Sequence, residues 1–322
     1  MSYMSLAFNA VFPLLAFMVI GFFLRRTGLL DKKTAAGVNK LVFKVFLPLS
    51  IFQSIYNADI HSALSVKPAI YVAVTCILTF LVISIIIGRT EKDRTVKPVM
   101  IQGIHKANYN LLAIPIVSSF FGNEIGMTAV LMIIITPIVN ICSTLTFEAA
   151  RKDDTKTGGA SRGAGIGKMI VKIILNPMVL SSLLGLLVNI SGIKIPHLVM
   201  SSVVSKLGAM ATPAAMLALG SDFEFGTMKK WAGRLCAVGI GKLIIMPLIL
   251  VTGAALIGIR GADLIAVLVY SGAPTAVNSY STAVSMGGNE ELAGAIVAVT
   301  SLLSVFTIFI FLTMIGSIGL LS

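Results

Sequence analysis

Apolar runs of about twenty residues, parted by short polar stretches, set the pattern of the chain. They predict helices near residues 5–24, 38–57, 68–88, 98–120, 126–148, 171–190, 197–221, 231–257, 262–285 and 291–318. A hydrocarbon core about 30 Å thick takes roughly 20 residues of helix to cross. The 322 residues therefore leave room for about ten spans with short loops and no sizeable soluble domain. The first run has no Lys or Arg before it and no small-residue cleavage site after it, and it contains Pro13. It reads as a retained helix rather than a signal peptide.

Two spans break the pattern. Residues 105–115, "HKANYNLLAIP", put His105, Lys106, Asn108, Tyr109 and Asn110 inside the fourth span and follow them with Pro115. The ninth span, "AVLVYSGAPTAVNSYSTAVS", carries Gly272, Pro274, Thr275 and Asn278 near its middle. Proline removes a helix hydrogen bond and clashes with the preceding turn, and glycine lowers helix propensity beside it. Both helices are expected to be interrupted, with Asn108 to Asn110 near the bilayer midplane. Freed backbone at that depth is tolerated only inside protein or around a water-filled cavity.

Two broken helices opposed at the midplane are the expected substrate site of a secondary transporter. The half-helix after each break would turn its N-terminal amides inward, which suits an anion. Each residue also has a plainer reading. Asn108 and Asn110 can serve as interhelical hydrogen-bonding groups. Tyr109 and Tyr280 can be packing aromatics, and Pro115 or Pro274 a simple kink. Lys106 lies two to three turns from the cytoplasmic end and can snorkel there or reach the cavity. His105 is the only His inside a span and is a candidate for titration.

Composition makes the membrane reading firm. Hydrophobic residues make up 57% of the chain and charged residues 12%, with a mean hydropathy of +0.97, well outside the range of a soluble domain. The net charge of +12 concerns topology rather than nucleic acid. Twenty Lys and Arg flank alternate loops, after spans 1, 3, 5 and 7, whereas the other loops and their flanks hold only Lys67, Lys194, Lys206 and Arg260. By the positive-inside rule the twenty face the cytoplasm, which puts both termini of a plasma-membrane protein outside.

Cys76, Cys142 and Cys236 all fall within spans, which indicates neither disulfides nor a metal cluster. No Asp or Glu falls near a bilayer centre, so a proton relay on buried carboxylates has no obvious carrier. Ser/His, paired-Asp and zinc constellations are missing, which argues against an enzyme. No cofactor is implied. A channel, or a membrane receptor for a small organic acid, is the alternative to a carrier; no filter-like loop appears.

Pro13, Gly21 and Gly28 recur as Pro177, Gly185 and Gly192, and Pro48 recurs as Pro213, at a nearly constant spacing. The "GNE" at Gly122 to Glu124 recurs at Gly288 to Glu290. Five spans per half is an odd number, so the second half must enter the membrane from the opposite side. Residues 1–150 read as one inverted repeat and 171–322 as the other. The Gly-rich linker at 151–170 joins them.

"HKANYNLLAIPIVSSFFG" resembles the fourth-span signature of the auxin efflux carrier family, and "GAPTAVNSYSTAVSMGGNEELAGAIVAVTSLLS" resembles its ninth span running into the tenth. Lys106 stands where Arg is common, Asn110 where Gly is common, and Ala113 replaces the Gly two residues before Pro115. The resemblance implies a carrier of small organic anions, malate- or malonate-like in bacterial relatives and auxin in plant ones. It also implies a scaffold of spans 1, 2, 6 and 7, and a transport domain of spans 3–5 and 8–10 that moves as an elevator with helices 4 and 9 crossed. A homodimer is expected through the scaffold. Asn108, Pro115, Pro274 and Asn278 are the first site residues by this resemblance, with Lys106, Tyr109, Asn110 and Thr275 beside them. Coupling to H+ or Na+, as in the related bile-acid sodium symporters, and uncoupled transport are all left open.

Overall fold

The computed structural model describes residues 3–57, 66–121, 126–151, 171, 174–222 and 225–321. The loop "GNE" at 122–124 and the 151–170 linker beyond Arg151 lie outside them. The described chain is helical, in the order α1 (Tyr3–Arg26), α2 (Lys32–Tyr56), α3 (Val66–Thr90), α4 (Val96–His105), α5 (Tyr109–Phe121) and α6 (Gly126–Arg151). There follow α7 (Pro177–Ser191), α8 (His197–Ser221), α9 (Ala232–Leu256), α10 (Gly261–Gly272), α11 (Asn278–Met286) and α12 (Glu290–Ser317), with a short helical turn at Phe225–Lys230 between α8 and α9.

Among the described residues six helices, α2, α3, the Val130–Ala150 part of α6, α8, α9 and α12, are long and apolar enough to cross a membrane. The expected fourth and ninth spans each appear as two short helices, and the expected sixth as the 15-residue α7. None of these short pieces covers 30 Å alone. The second span begins earlier than the hydropathy predicts, because Asp31 accepts the Thr34 N–H at 2.8 Å and starts α2 among lysines.

Among the described residues three of the long helices carry one widened turn each, Val42–Phe46 in α2, Met200–Val204 in α8 and Gly241–Ile245 in α9. Those in α2 and α9 lie just ahead of a proline, Pro48 or Pro247. The proline ring would strike the carbonyl four residues back. In the widened turns Leu47 N–H bonds Val42 O and Met246 N–H bonds Gly241 O, five residues back. This spacing gives the helix the slack to continue.

Helices α4 and α10 form the centre: every residue from Pro98 to His105 and from Leu264 to Gly272 is buried. A helix apolar on all sides is one surrounded by others. The chain leaves helix at Lys106–Asn108 and again at Ala273–Val277. At the second site Ala273 is extended (φ −63°, ψ 151°), as the residue before a proline prefers. The two unwound segments pair with each other. Ala107 and Thr275 form an antiparallel bridge, Asn108 N–H donates to Pro274 O at 2.9 Å, and Ala276 N–H donates to Lys106 O at 3.0 Å. Thr275 completes the set: its N–H donates to Thr300 Oγ1 (3.1 Å) and its hydroxyl to Gly103 O (2.6 Å). Backbone groups opened inside the bundle are thereby satisfied by protein.

The first break has a register that the sequence left open. It precedes Pro115, which lies inside α5. The partner strand at Pro274–Ala276 supplies hydrogen bonds to residues 106–108, and this pairing places the unwound stretch.

Away from the centre, α1 crosses α8 and α7 crosses α2 at glycines. A Cβ on Gly21 would overlap the Leu217 carbonyl, and one on Gly220 the Met18 carbonyl. A Cβ on Gly185 would lie 3.1 Å from Phe52 O. Gly21→Ala is therefore expected to push α1 off α8 and lower stability by about 1–3 kcal/mol. Gly37→Ala, with nothing within 4 Å, should be neutral or stabilising, since alanine is the better helix former. Thermal unfolding of the detergent-solubilised variants reads the difference. Equal melting temperatures would show that the crossing tolerates a methyl group.

At one end of the bundle Glu91 Oε2 meets Arg234 Nε at 2.7 Å, and Glu291 Oε2 takes bonds from Lys230 Nζ (2.6 Å) and Trp231 Nε1 (3.3 Å). The Arg234 hydrogen bond holds the Glu91 carboxyl below its ordinary value. Asp93, bonded by Thr95, is held low as well. These contacts tie the α3–α4 loop to the starts of α9 and α12. The Lys230–Glu291 pair, more than half exposed on both sides, contributes little energy by itself.

Candidate functional site

A cavity of about 120 Å³ opens beside the paired breaks. Lys106, Ala107, Asn108 and Tyr109 form one wall, and Ala276, Val277 and Asn278 the next. Ser50 and Ser54 of α2, Thr136 and Asn140 of α6, and Thr212 of α8 bring further polar groups, and Leu47, Ile51, Ile135 and Val139 close it with apolar surface.

The side chain of Lys106 decides the electrostatics. It is 2% exposed rather than snorkelling outward, it belongs to a residue that lines the cavity, and its Nζ has no partner among the described residues. A buried ammonium is costly unless something of opposite charge meets it. Two neighbouring polar atoms are buried without a hydrogen bond among the described residues: Asn108 Nδ2, a donor that suits an anion, and Asn278 Oδ1, an acceptor. Helices α5 and α11 begin at Tyr109 and Asn278 on the cavity wall, so the positive ends of both dipoles add to the Lys106 charge.

Of the residues singled out in the sequence, Lys106, Asn108, Tyr109 and Asn278 come together on the cavity. The Tyr109 hydroxyl is already committed, donating to Thr128 O at 3.2 Å. Pro274 and Thr275 hold the break instead of lining the cavity, through the Pro274 carbonyl and the Thr275 hydroxyl. Asn110 and Pro115 belong to α5, and their side chains lie outside the described set. His105 points away toward α3: its Nε2 lies 3.0 Å from Cys76 O, and its ring packs on Phe80 with centroids 5.4 Å apart. Nε2 must therefore carry the proton in this contact, and the imidazole pins the end of α4 just before Lys106.

Sequence reasoning missed Asn140, Thr136, Ser50, Ser54 and Thr212. A signal existed in α6, where Thr136 and Asn140 stand four residues apart and so share one helix face. Among the described residues no group of three His, Cys, Asp or Glu side chains could hold a metal. The cavity offers one cation, amides and hydroxyls, which is the chemistry of binding.

Apolar helices enclose a small polar cavity, with unwound backbone at its wall, which is the architecture of a membrane-embedded protein. Residues 6–312 match the family model described as Membrane transport protein, the family of the auxin efflux carriers, and the chain belongs to it. It is also similar to an uncharacterized transporter of Methanothermobacter thermautotrophicus, 22% identical over 305 residues that cover 93% of this chain and 95% of that one. This is a multi-pass membrane transport protein and not an enzyme.

Proposed function

We propose that the protein is a secondary transporter of small organic anions, carboxylates of malate or malonate size, across the plasma membrane. The observation that carries this reading is Lys106: a buried ammonium on a polar cavity, with no counter-charge among the described residues. A carboxylate entering the cavity supplies that charge, Asn108 Nδ2 supplies a hydrogen bond, and the starts of α5 and α11, at Tyr109 and Asn278, supply dipoles.

In this reading α1, α2, α7 and α8 form the scaffold, and α3–α6 with α9–α12 form a transport domain that slides against it as an elevator. Residues 1–150 and 171–322 are the two inverted repeats. Their support is a reciprocal contact: Gly21 of the first half abuts Leu217 of the second, and Gly185 of the second abuts Phe52 of the first. These are the glycines that recur in the sequence. The cavity draws walls from both groups of helices, so sliding one past the other would carry a bound anion. The scaffold also offers the surface for a homodimer, and the charge distribution puts both termini outside.

Counterflow in proteoliposomes tests the proposal. Vesicles are loaded with unlabelled malate, malonate, citrate or lactate and given labelled acid outside, at two pH values with and without Na+. Saturable, trans-stimulated uptake is expected of a carrier, and the pH and Na+ arms read the coupling. Asn108→Ala and Asn278→Ala should each abolish uptake while leaving a folded protein. Normal transport by both variants would overturn this site.

A further inference from the structure

An anion site needs donors, yet this cavity also presents a fixed acceptor. Asn140 is 2% exposed and lines the cavity from α6. Its Nδ2 donates to Ser182 Oγ on α7 at 3.1 Å, and its Oδ1 has no partner among the described residues. The orientation of this amide is dictated by its neighbours. The Ser182 hydroxyl spends its only hydrogen on Met178 O at 2.7 Å. It can therefore only accept from Asn140, and the nitrogen must face Ser182. Oδ1 is left as a buried acceptor with its lone pairs unmet.

Carboxylate oxygens cannot satisfy it, because they too are acceptors. Water can do so while the cavity is unloaded, but a solute that displaces this water without bringing a donor leaves Oδ1 unpaired, with the desolvation penalty that follows. We propose that Asn140 Oδ1 accepts a hydrogen bond from a hydroxyl on the transported acid, and that the carrier thereby selects hydroxycarboxylates over carboxylates lacking a donor. Lys106 Nζ and Asn108 Nδ2 hold the carboxylate while Asn140 reads the hydroxyl. The inference rests on the anion-carrier reading above and goes further by stating which small acids pass.

Matched pairs at pH 7.5, malate against succinate and lactate against propionate, isolate the hydroxyl. Both members of each pair are fully ionised there, so neither carries a carboxyl proton that could stand in for it. In wild-type proteoliposomes the hydroxy acid should be preferred by at least about 100-fold in uptake efficiency, since sites built around a substrate hydroxyl reject the analogue that lacks it. In Asn140→Leu the preference should fall to within a few-fold of unity, with the deoxy acid taken up at least as well as by wild type. If this variant moves neither acid, the ratio of their binding constants from thermal shift of the solubilised protein is read by the same criterion. Equal uptake of the pair by wild type overturns the hydroxyl inference and leaves the anion carrier standing. A preference retained in Asn140→Leu removes Asn140 from the role. Uptake of none of the four acids overturns both readings.

Discussion

Lys106→Met is expected to cut carboxylate uptake by roughly 10²–10⁴-fold while leaving the empty protein as stable as wild type or more so. The two halves of this result have one cause. In the unloaded protein the Lys106 ammonium is buried with no partner among the described residues, so its charge is a burden that the unbranched Met side chain removes at nearly the same volume. In the proposed loaded state the same ammonium meets the substrate carboxylate, and breaking a buried, hydrogen-bonded ion pair costs about 3–5 kcal/mol, or two to nearly four decades in affinity. Lys106→Arg should retain part of the activity, since the charge persists but the broad guanidinium takes up room in a cavity of about 120 Å³. Uptake by counterflow and melting temperature are measured on the same preparations. Loss of both together would mean that Lys106 holds the fold, and retention of uptake would remove it from the anion site.

Thr275→Val is expected to impair both stability and transport, although Thr275 does not line the cavity. Val matches Thr in shape but leaves the Gly103 carbonyl without the 2.6 Å bond it receives from the Thr275 hydroxyl. An orphaned buried acceptor costs about 1–3 kcal/mol. The effect extends to function because Gly103 lies three residues before Lys106 on α4, and because Thr275 is bridged to Ala107. Loosening this joint lets both cavity walls shift, and uptake should fall at least about tenfold. Thr275→Ser, which restores the hydroxyl, should recover most of both losses. A Val variant with wild-type uptake and melting temperature would show that the joint is held by the backbone alone.

Much of this protein was legible from its residue pattern, because lipid permits few arrangements of backbone. The spans read near 68–88, 197–221, 231–257 and 291–318 lie within two residues of Val66–Thr90, His197–Ser221, Ala232–Leu256 and Glu290–Ser317. The polar island around Asn108 was visible because polar groups at such depth need a reason. Family membership followed from the same island and its partner around Pro274. The position of the first break was not legible. Proline is the strongest local signal for an interruption, and Pro115 stands close to the polar run without fixing the register. The structure keeps helix there and unwinds Lys106–Asn108, where Pro274, Thr275 and Ala276 offer hydrogen bonds from across the bundle. Asn140 escaped notice for a related reason: Thr136, four residues before it, marks a shared face but does not say what either side chain meets. Only the approach of Ser182 fixes its amide and leaves an unpaired acceptor, among the described residues, on a side chain that lines the cavity.

The amino-acid sequence by itself therefore determined that this chain lives in a bilayer, where most of its helices run, and which two stretches cannot be simple spans. These follow from hydrophobic transfer and local backbone preference, which act over a few turns. The tertiary structure alone decided where the first helix opens, that Lys106 turns inward, and which side chains share the cavity. Each of those depends on hydrogen bonds and packing between residues far apart in the chain, and local preference carries no information about them.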